Sequence, residues 1–178
     1  MITNLSVRPT PTNNKAKYLT IALLIGALAT GILYAVMVNY KGVVGLVCLA
    51  LLTAAIFIYT KYLAPVYNYD VVAEDGSYLF VVRQTTGKRT TTLCRIDLAS
   101  IRRIDRETEA DRKAHKTPTG FISYVYCPTL GPDVTYLITS QTRYERAEIR
   151  IEASDEFAAL LTEYAREAKS LMPDEDEE

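Results

Sequence analysis

Two long runs of apolar residues lie near the start of the chain, and both are apolar on every side. The first, "YLTIALLIGALATGILYAVMVNY", fills the 23 positions between Lys17 and Lys41; the second, "GVVGLVCLALLTAAIFIYT", fills the 19 positions between Lys41 and Lys61. A bilayer core needs about 20 apolar residues in helical form, and a soluble helix would show polar positions at a 3.6-residue period. We therefore predict a transmembrane hairpin over residues 17–63. Its spans lie at about 18–38 and 43–62, with a turn at residues 39–42.

Small residues recur every four positions along the first run, in two stripes: Ala22, Gly26 and Thr30, and Ala27, Gly31 and Ala35. Small side chains let two helices approach closely inside a membrane. We expect these stripes to pack the two helices of the hairpin together. A face for dimerisation is the alternative.

The charges around the two runs predict an orientation. Three basic residues precede the first run and Lys61 follows the second, whereas only Lys41 lies between them. Basic residues favour the cytoplasmic side, so we expect a two-pass protein of the cell (inner or plasma) membrane with both termini in the cytoplasm. Neither run contains an ionisable residue, which argues against transport by this chain alone.

Beyond Pro65 the apolar positions alternate, as is typical of strands. Seven strands are predicted, at residues 66–74, 78–84, 89–98, 100–107, 121–127, 134–140 and 147–152. Asp-Gly at 75–76 indicates a hairpin turn, and residues 111–120 are expected to form a loop. Ser154 is a suitable N-cap for a final amphipathic helix that ends before Pro173, with this apolar stripe: Phe157, Leu160, Leu161, Tyr164, Ala168 and Leu171. The predicted fold class is a membrane α-hairpin followed by an α+β, mainly-β domain of about seven antiparallel strands and a C-terminal helix.

This order of elements, and the segment "CRIDLASIRRID" at residues 94–105, resemble bacterial two-span membrane proteins with a cytoplasmic pleckstrin-homology (PH)-like domain. The resemblance covers residues 66–172 and the hairpin. It implies a bent seven-stranded sheet closed at one corner by the C-terminal helix. Members that bind phosphoinositides carry basic residues at the first strand–turn–strand, where this chain has the acidic "AEDGS". Another small barrel or an α+β roll is the alternative fold.

Composition sets limits on the remaining segments and on chemistry. Residues 1–16 are rich in Thr, Asn and Pro and are predicted to be a disordered arm, and residues 173–178 are predicted to be a disordered acidic tail. Without its tail the domain is nearly neutral, which argues against nucleic-acid binding. Three scattered cysteines and a single histidine, His115, do not match the short ligand spacing of zinc sites. We therefore expect no catalytic, cofactor-binding or metal-binding residues.

Residues 83–116 hold ten Lys or Arg against five acidic residues. A basic residue beside an anionic leaflet contributes about 1 kcal/mol. The candidates for facing lipid or a partner are Arg102, Arg103, Arg106, Lys113 and Lys116. The alternative is a solvated surface on which the arginines are balanced by an alternating acidic series: Asp105, Glu107, Glu109 and Asp111.

These patterns lead to a functional hypothesis: a non-enzymatic, membrane-anchored protein whose cytoplasmic domain is a protein-interaction or assembly module. Its partners would be the lipid bilayer, an unidentified protein and, as a homo-oligomer, further copies of the chain. Two alternatives stay open, an accessory subunit of a membrane transporter or enzyme complex and a domain that docks weakly on anionic lipid.

Overall fold

The computed structural model describes residues 5–36, 40–74, 77–142 and 145–171. They fall into two compact units, one formed by residues 13–65 and the other by the segment before residue 13 together with the chain from Val66 onward. The elements in chain order are β1 (Leu5–Val7), α1 (Lys15–Val36), α2 (Lys41–Ile58), β2 (Pro65–Glu74), β3 (Ser77–Thr86), β4 (Arg89–Asp97), β5 (Ile101–Thr108), α3 (Glu109–Ala114), β6 (Ile122–Tyr126), β7 (Val134–Gln141), β8 (Arg146–Ile151) and α4 (Asp155–Ser170). The predicted Asp-Gly turn at 75–76 and the acidic tail at 173–178 lie outside the described residues.

Helices α1 and α2 form the first unit and pack against each other. Ten of their more buried positions recur at alternating four- and three-residue intervals, the spacing of a coiled-coil seam: Ala16, Thr20, Leu23, Ala27 and Thr30 on α1, and Val44, Cys48, Leu51, Ala55 and Ile58 on α2. The other faces expose large apolar side chains. Both helices are long and apolar enough to cross a membrane.

The ends of α2 differ from the prediction. Lys41 and Gly42, expected in the turn, belong to its first helical turn, and Asn39 lies outside the described residues. A lysine in a terminal turn can extend its long side chain toward water, so its charge does not require a loop. At the other end α2 continues into a π-helical turn, Tyr59–Leu63, closed by the Ala64 N–H, which donates to the Tyr59 carbonyl oxygen at 2.9 Å.

Two four-stranded sheets and α4 build the second unit. The strand orders are β1-β2-β3-β4 and β5-β7-β8-β6. Strands β2 to β8 occupy the seven predicted segments, and β1 is an addition. It pairs antiparallel with β2, Leu5 lying opposite Val71 and Val7 opposite Tyr69. The prediction of a disordered arm at residues 1–16 is therefore wrong for Leu5–Val7, because Leu5 and Val7 pack against the core.

Strand β6 departs from the predicted antiparallel pattern. It pairs in parallel with β8, Tyr124 lying opposite Ile149. The reason lies in β7, which pairs antiparallel with both β5 and β8. Strand β6 therefore adds at the remaining edge of β8, and the connection after it crosses back to β7.

The core of this unit lies between the two sheets and α4. Tyr69 is fully buried, with ring centroids of Phe80 and Phe157 each 6.3 Å from its own. Helix α4 begins as predicted: the Phe157 N–H donates to Ser154 Oγ at 3.2 Å. Its buried positions are Phe157, Ala158, Leu161, Ala165 and Ala168. Leu160 and Leu171, predicted on the buried stripe, are exposed, because the packed face is centred on the row that runs from Phe157 through Leu161 to Ala165.

Candidate functional site

A basic cleft lies between β5 and α4. Its volume is about 220 Å³, and it is lined by Ile101, Arg102, Arg103, Ile104, Thr162, Ala165, Arg166 and Lys169. The apolar residues are buried or half-buried, while the ends of the four basic side chains are exposed. The cleft therefore combines an apolar floor with a cationic rim.

A β-bulge explains how consecutive arginines of one strand reach the same cleft. Neighbouring side chains of a regular strand point to opposite faces. Ile101 lies opposite Ser140 and Arg103 opposite Thr139, so Arg102 is an extra residue in β5. Bulges re-aim side chains, and they are frequent beside functional sites.

The five basic residues that were predicted to face lipid or a partner lie in different surroundings in the structure. Arg102 and Arg103 line the cleft. Arg106 Nε lies 3.7 Å from Asp155 Oδ1, and Lys113 Nζ lies 2.7 Å from Glu109 Oε1. Lys116 is exposed in the segment after α3. Arg166 and Lys169 were missed by the sequence argument, although their spacing after Thr162 places all three on one face of α4.

Positive charge in the cleft exceeds negative charge. Arg103 pairs with Asp105, whereas Arg102, Arg166 and Lys169 make no ion pair within the part of the chain that the structure describes. Partial burial lowers the pKa of Lys169, and the nearby positive charge of Arg102 lowers it further. The fold therefore holds the like charges of Arg102 and Lys169 close together, and among the described residues Asp105 is paired with Arg103 alone.

The predicted acidic series does not form one solvated face. Glu107, on β5, is only 5% exposed, and Glu109 and Asp111 belong to α3, within a segment partly expected to be a loop. Thr108 and Asp111 form a capping box that begins this helix. The hydrogen bonds from the Thr108 N–H and hydroxyl lower the pKa of Asp111. Thr108 therefore ends the strand alternation, because it caps a helix.

Glu107 belongs to a buried polar cluster on the face of the second sheet that is turned away from the core. Arg150 Nε donates to Glu107 Oε2 at 2.9 Å, and Arg150 Nη1 donates to Ser123 Oγ at 3.2 Å. A ring nitrogen of His115 lies 2.9 Å from an oxygen of Glu148, a residue that is 3% exposed. Each charge thus has a partner within the cluster, which joins the segment after α3 to the sheet.

A second buried carboxylate, Glu152, holds the segment before α1. Its Oε1 accepts hydrogen bonds from the Thr12 N–H at 3.1 Å and the Thr129 hydroxyl at 2.7 Å, and its Oε2 accepts one from the Thr129 N–H at 3.1 Å. The Glu152 N–H donates to Tyr69 Oη at 3.3 Å. Three donors satisfy the buried charge, as a stable buried carboxylate requires.

The cysteines and acidic residues offer little reactive chemistry. Burial raises the pKa of Cys94 to about 11 and that of Cys127 to about 12, with a further contribution from the charge of Glu152 in the second case. Both thiols are therefore protonated near neutral pH, the less reactive form. Within the described ranges, no three His, Cys, Asp or Glu residues cluster in a way that could hold a metal ion.

Strand β6 has one edge without a partner strand among the described residues. Two large apolar side chains on this strand are exposed: Ile122 at 51% and Val125 at 62%. The other edges are more protected or more polar. β1 has three residues, α4 packs beside β5, and the Leu93 carbonyl oxygen on β4 accepts a hydrogen bond from the Tyr126 hydroxyl at 3.2 Å.

The stripes of small residues on α1 divide between two environments. Ala27 is buried, and its carbonyl oxygen lies 3.3 Å from Cys48 Sγ on α2. A Cβ atom at Gly26 would lie 3.5 Å from Leu51 Cδ1, whereas one at Gly31 would meet nothing within 4 Å. Thr30 is half-buried, and Ala22 and Ala35 are exposed. Only part of each stripe therefore packs inside the hairpin.

Comparisons with known proteins add no family to this description. No protein-family model matches the chain, and no curated protein matches it.

Proposed function

We propose that this chain is a non-enzymatic, membrane-anchored protein whose PH-like domain binds an extended segment of a partner protein along the free edge of β6. The observation that carries the proposal is the edge of β6 that has no partner strand among the described residues, together with the exposed Ile122 and Val125. A strand edge presents unpaired N–H and C=O groups that another chain can satisfy.

The geometry favours strand addition over contact with a flat surface. Ile122 lies opposite Ala147 and Val125 opposite Arg150, so the two apolar side chains stand on opposite faces of the sheet. A strand added beside β6 would place alternate side chains next to each of them. In this recognition mode the main chain supplies affinity and alternate side chains supply specificity.

The membrane part of the proposal rests on three features. The hairpin helices are long and apolar enough to cross a bilayer. More basic residues flank the outer ends of the two helices than lie between them, and this distribution favours a cytoplasmic location for the domain. Pairing of β1 with β2 supports the same arrangement, because segments before and after the hairpin belong to one folded unit.

Site-specific cross-linking tests the proposal on the full chain in its native membrane. A photoreactive amino acid at position 125 is expected to give a discrete cross-linked product, and one at position 160 is the matched control, because Leu160 is an exposed apolar residue on α4. The Ile122→Lys substitution should remove the product, since a lysine on a strand edge opposes pairing. A product of twice the chain mass would identify a second copy as the partner. Identical products from both positions, or none from position 125, would refute the proposal.

A further inference from the structure

We propose that the basic cleft between β5 and α4 is a binding site for a phosphate monoester, carried either by a lipid headgroup or by a small soluble molecule. The proposal does not depend on the partner site at β6. It rests on the unneutralised charge, the bulge and the floor of the cleft.

The charge of the cleft matches that of a phosphate monoester. Arg102, Arg166 and Lys169 lack an ion-pair partner among the described residues. A phosphate monoester carries about −1.5 to −2 charges at pH 7 and three acceptor oxygens. Its binding would replace repulsion between Arg102 and Lys169 with attraction to a shared anion. A single carboxylate, with one negative charge and two oxygens, would satisfy fewer of these donors.

The side chains of the rim suit phosphate in geometry as well. Arginine presents a planar fork of N–H donors that binds phosphate through two parallel hydrogen bonds. The bulge at Arg102 brings its side chain to the same cleft as Arg103, and α4 supplies Arg166 and Lys169 one turn apart. The cations therefore converge from two elements, as expected of a site that surrounds one group.

The favourable interaction of a cation with the C-terminal end of α4 explains only part of the arrangement of basic residues in the cleft. A lysine in the last turn of a helix is favoured by the exposed carbonyl groups there, which accounts for Lys169. It does not account for two arginines of a separate strand beside that lysine, one of them re-aimed by a bulge. The apolar floor of Ile101, Ile104 and Ala165 would contact the carbon atoms next to the phosphoryl group.

Native mass spectrometry of the full chain in detergent tests the proposal. The probes are phosphatidic acid and glycerol 3-phosphate, with phosphatidylcholine as the lipid lacking a monoester. We expect a one-to-one adduct with phosphatidic acid, whose dissociation constant rises about tenfold or more in Arg102→Gln and in Lys169→Gln, because each removes a charged hydrogen-bond donor. If glycerol 3-phosphate also forms an adduct, a soluble phosphate monoester is sufficient for binding. If only phosphatidic acid forms one, the ligand is the phosphate of a lipid headgroup.

Lys88→Gln is the matched control, since Lys88 is exposed at the turn between β3 and β4 and its replacement removes the same charge. Binding in this variant should equal that of the unmodified chain. Thermal unfolding of Lys169→Gln without ligand should occur at a temperature similar to that of the unmodified chain, because the substitution removes both the repulsion from Arg102 and the favourable interaction with the helix end, and this would establish that the fold is intact. Equal losses of binding in the Lys88 and cleft variants would overturn the proposal, as would the absence of an adduct with either phosphate compound.

Discussion

Glu152 is one carboxylate that joins three parts of the chain. It accepts hydrogen bonds from Thr12, which precedes α1, and from the backbone and side chain of Thr129, which follows β6. At 3% exposure it has almost no access to water. A buried acceptor of this kind contributes to stability mainly because its loss leaves donors unsatisfied.

The Glu152→Gln substitution is expected to destabilise this junction by about 1–3 kcal/mol, because an amide presents a donor where three donors converge. Cys127 lies nearby, and its burial allows thiol labelling to report local opening. In a chain that carries Cys48→Ala and Cys94→Ala, labelling of Cys127 at constant pH should be about 5- to 150-fold faster in Glu152→Gln, the factor that corresponds to this loss of stability.

Glu163→Gln provides the control for this measurement. Glu163 is exposed on α4, and removal of its charge should change stability by less than about 0.5 kcal/mol. Equal labelling rates in the two variants would show that the Glu152 hydrogen bonds contribute nothing measurable.

For single residues, the sequence predicted which face of a strand each side chain occupies, but not whether that face is buried. Alternation along β8 correctly divides Ile149 and Ile151, which enter the core, from Glu148 and Arg150 on the other face. Periodicity carries no information about what covers that second face. His115 and Thr12 lie 33 and 140 positions away from their carboxylate partners, so only the tertiary fold reveals that these charges are buried.

Strand β1 illustrates the same limit for a whole element. Three residues are too few to display a strand period, and the surrounding Thr, Asn and Pro indicate disorder. Its stability comes from its partner, since Ser6 hydrogen-bonds to Asp70, which also pairs with Arg83 at 2.9 Å. The longer strands and α4 were predictable because each carries enough apolar positions to define a face.

Disulfide trapping tests the register of β1. In a chain without its native cysteines, Leu5→Cys with Val71→Cys should oxidise readily, because these residues lie directly opposite each other and the Cα atoms of such pairs are about 4.5–5.5 Å apart, within the range that a disulfide spans. Leu5→Cys with Tyr69→Cys is shifted by two positions, which leaves the thiols too far apart for unstrained closure. Non-reducing electrophoresis should detect the bond in the first pair alone; equal yields from both would indicate a different register or none.

For the whole molecule, connectivity limits how the chain could be arranged across a membrane. Residues 5–12 and the chain from Val66 onward belong to one folded unit, and two apolar helices lie between them in sequence. Both ends of such a hairpin must lie on the same side of a bilayer if each helix crosses once. The two apolar helices and their approximate lengths were predictable from composition, since an uncharged stretch of 19 to 23 residues is long enough to cross a bilayer once and too short to cross it twice.

Labelling with a membrane-impermeant maleimide tests this arrangement in intact cells. Lys41→Cys, at the start of α2, should react, whereas Lys116→Cys should react only after lysis; both side chains are exposed in the structure. The two variants share a background without native cysteines, so each reports a single position. Reaction of Lys116→Cys in intact cells would place the domain outside and contradict the proposed orientation.

The pairing of β1 with β2 also has a consequence for biosynthesis. Ser6 leaves the ribosome 64 residues before its partner Asp70, so β1 has no sheet to join while both hydrophobic helices are being made. Strand β1 can therefore pair with β2 only after both helices of the hairpin and the strands that follow them have been translated. Closing a loop of this length costs little more entropy than closing one half as long, and the late arrival of β1 completes the sheet beside β2. For β1, the order of assembly is thus the reverse of the order of translation.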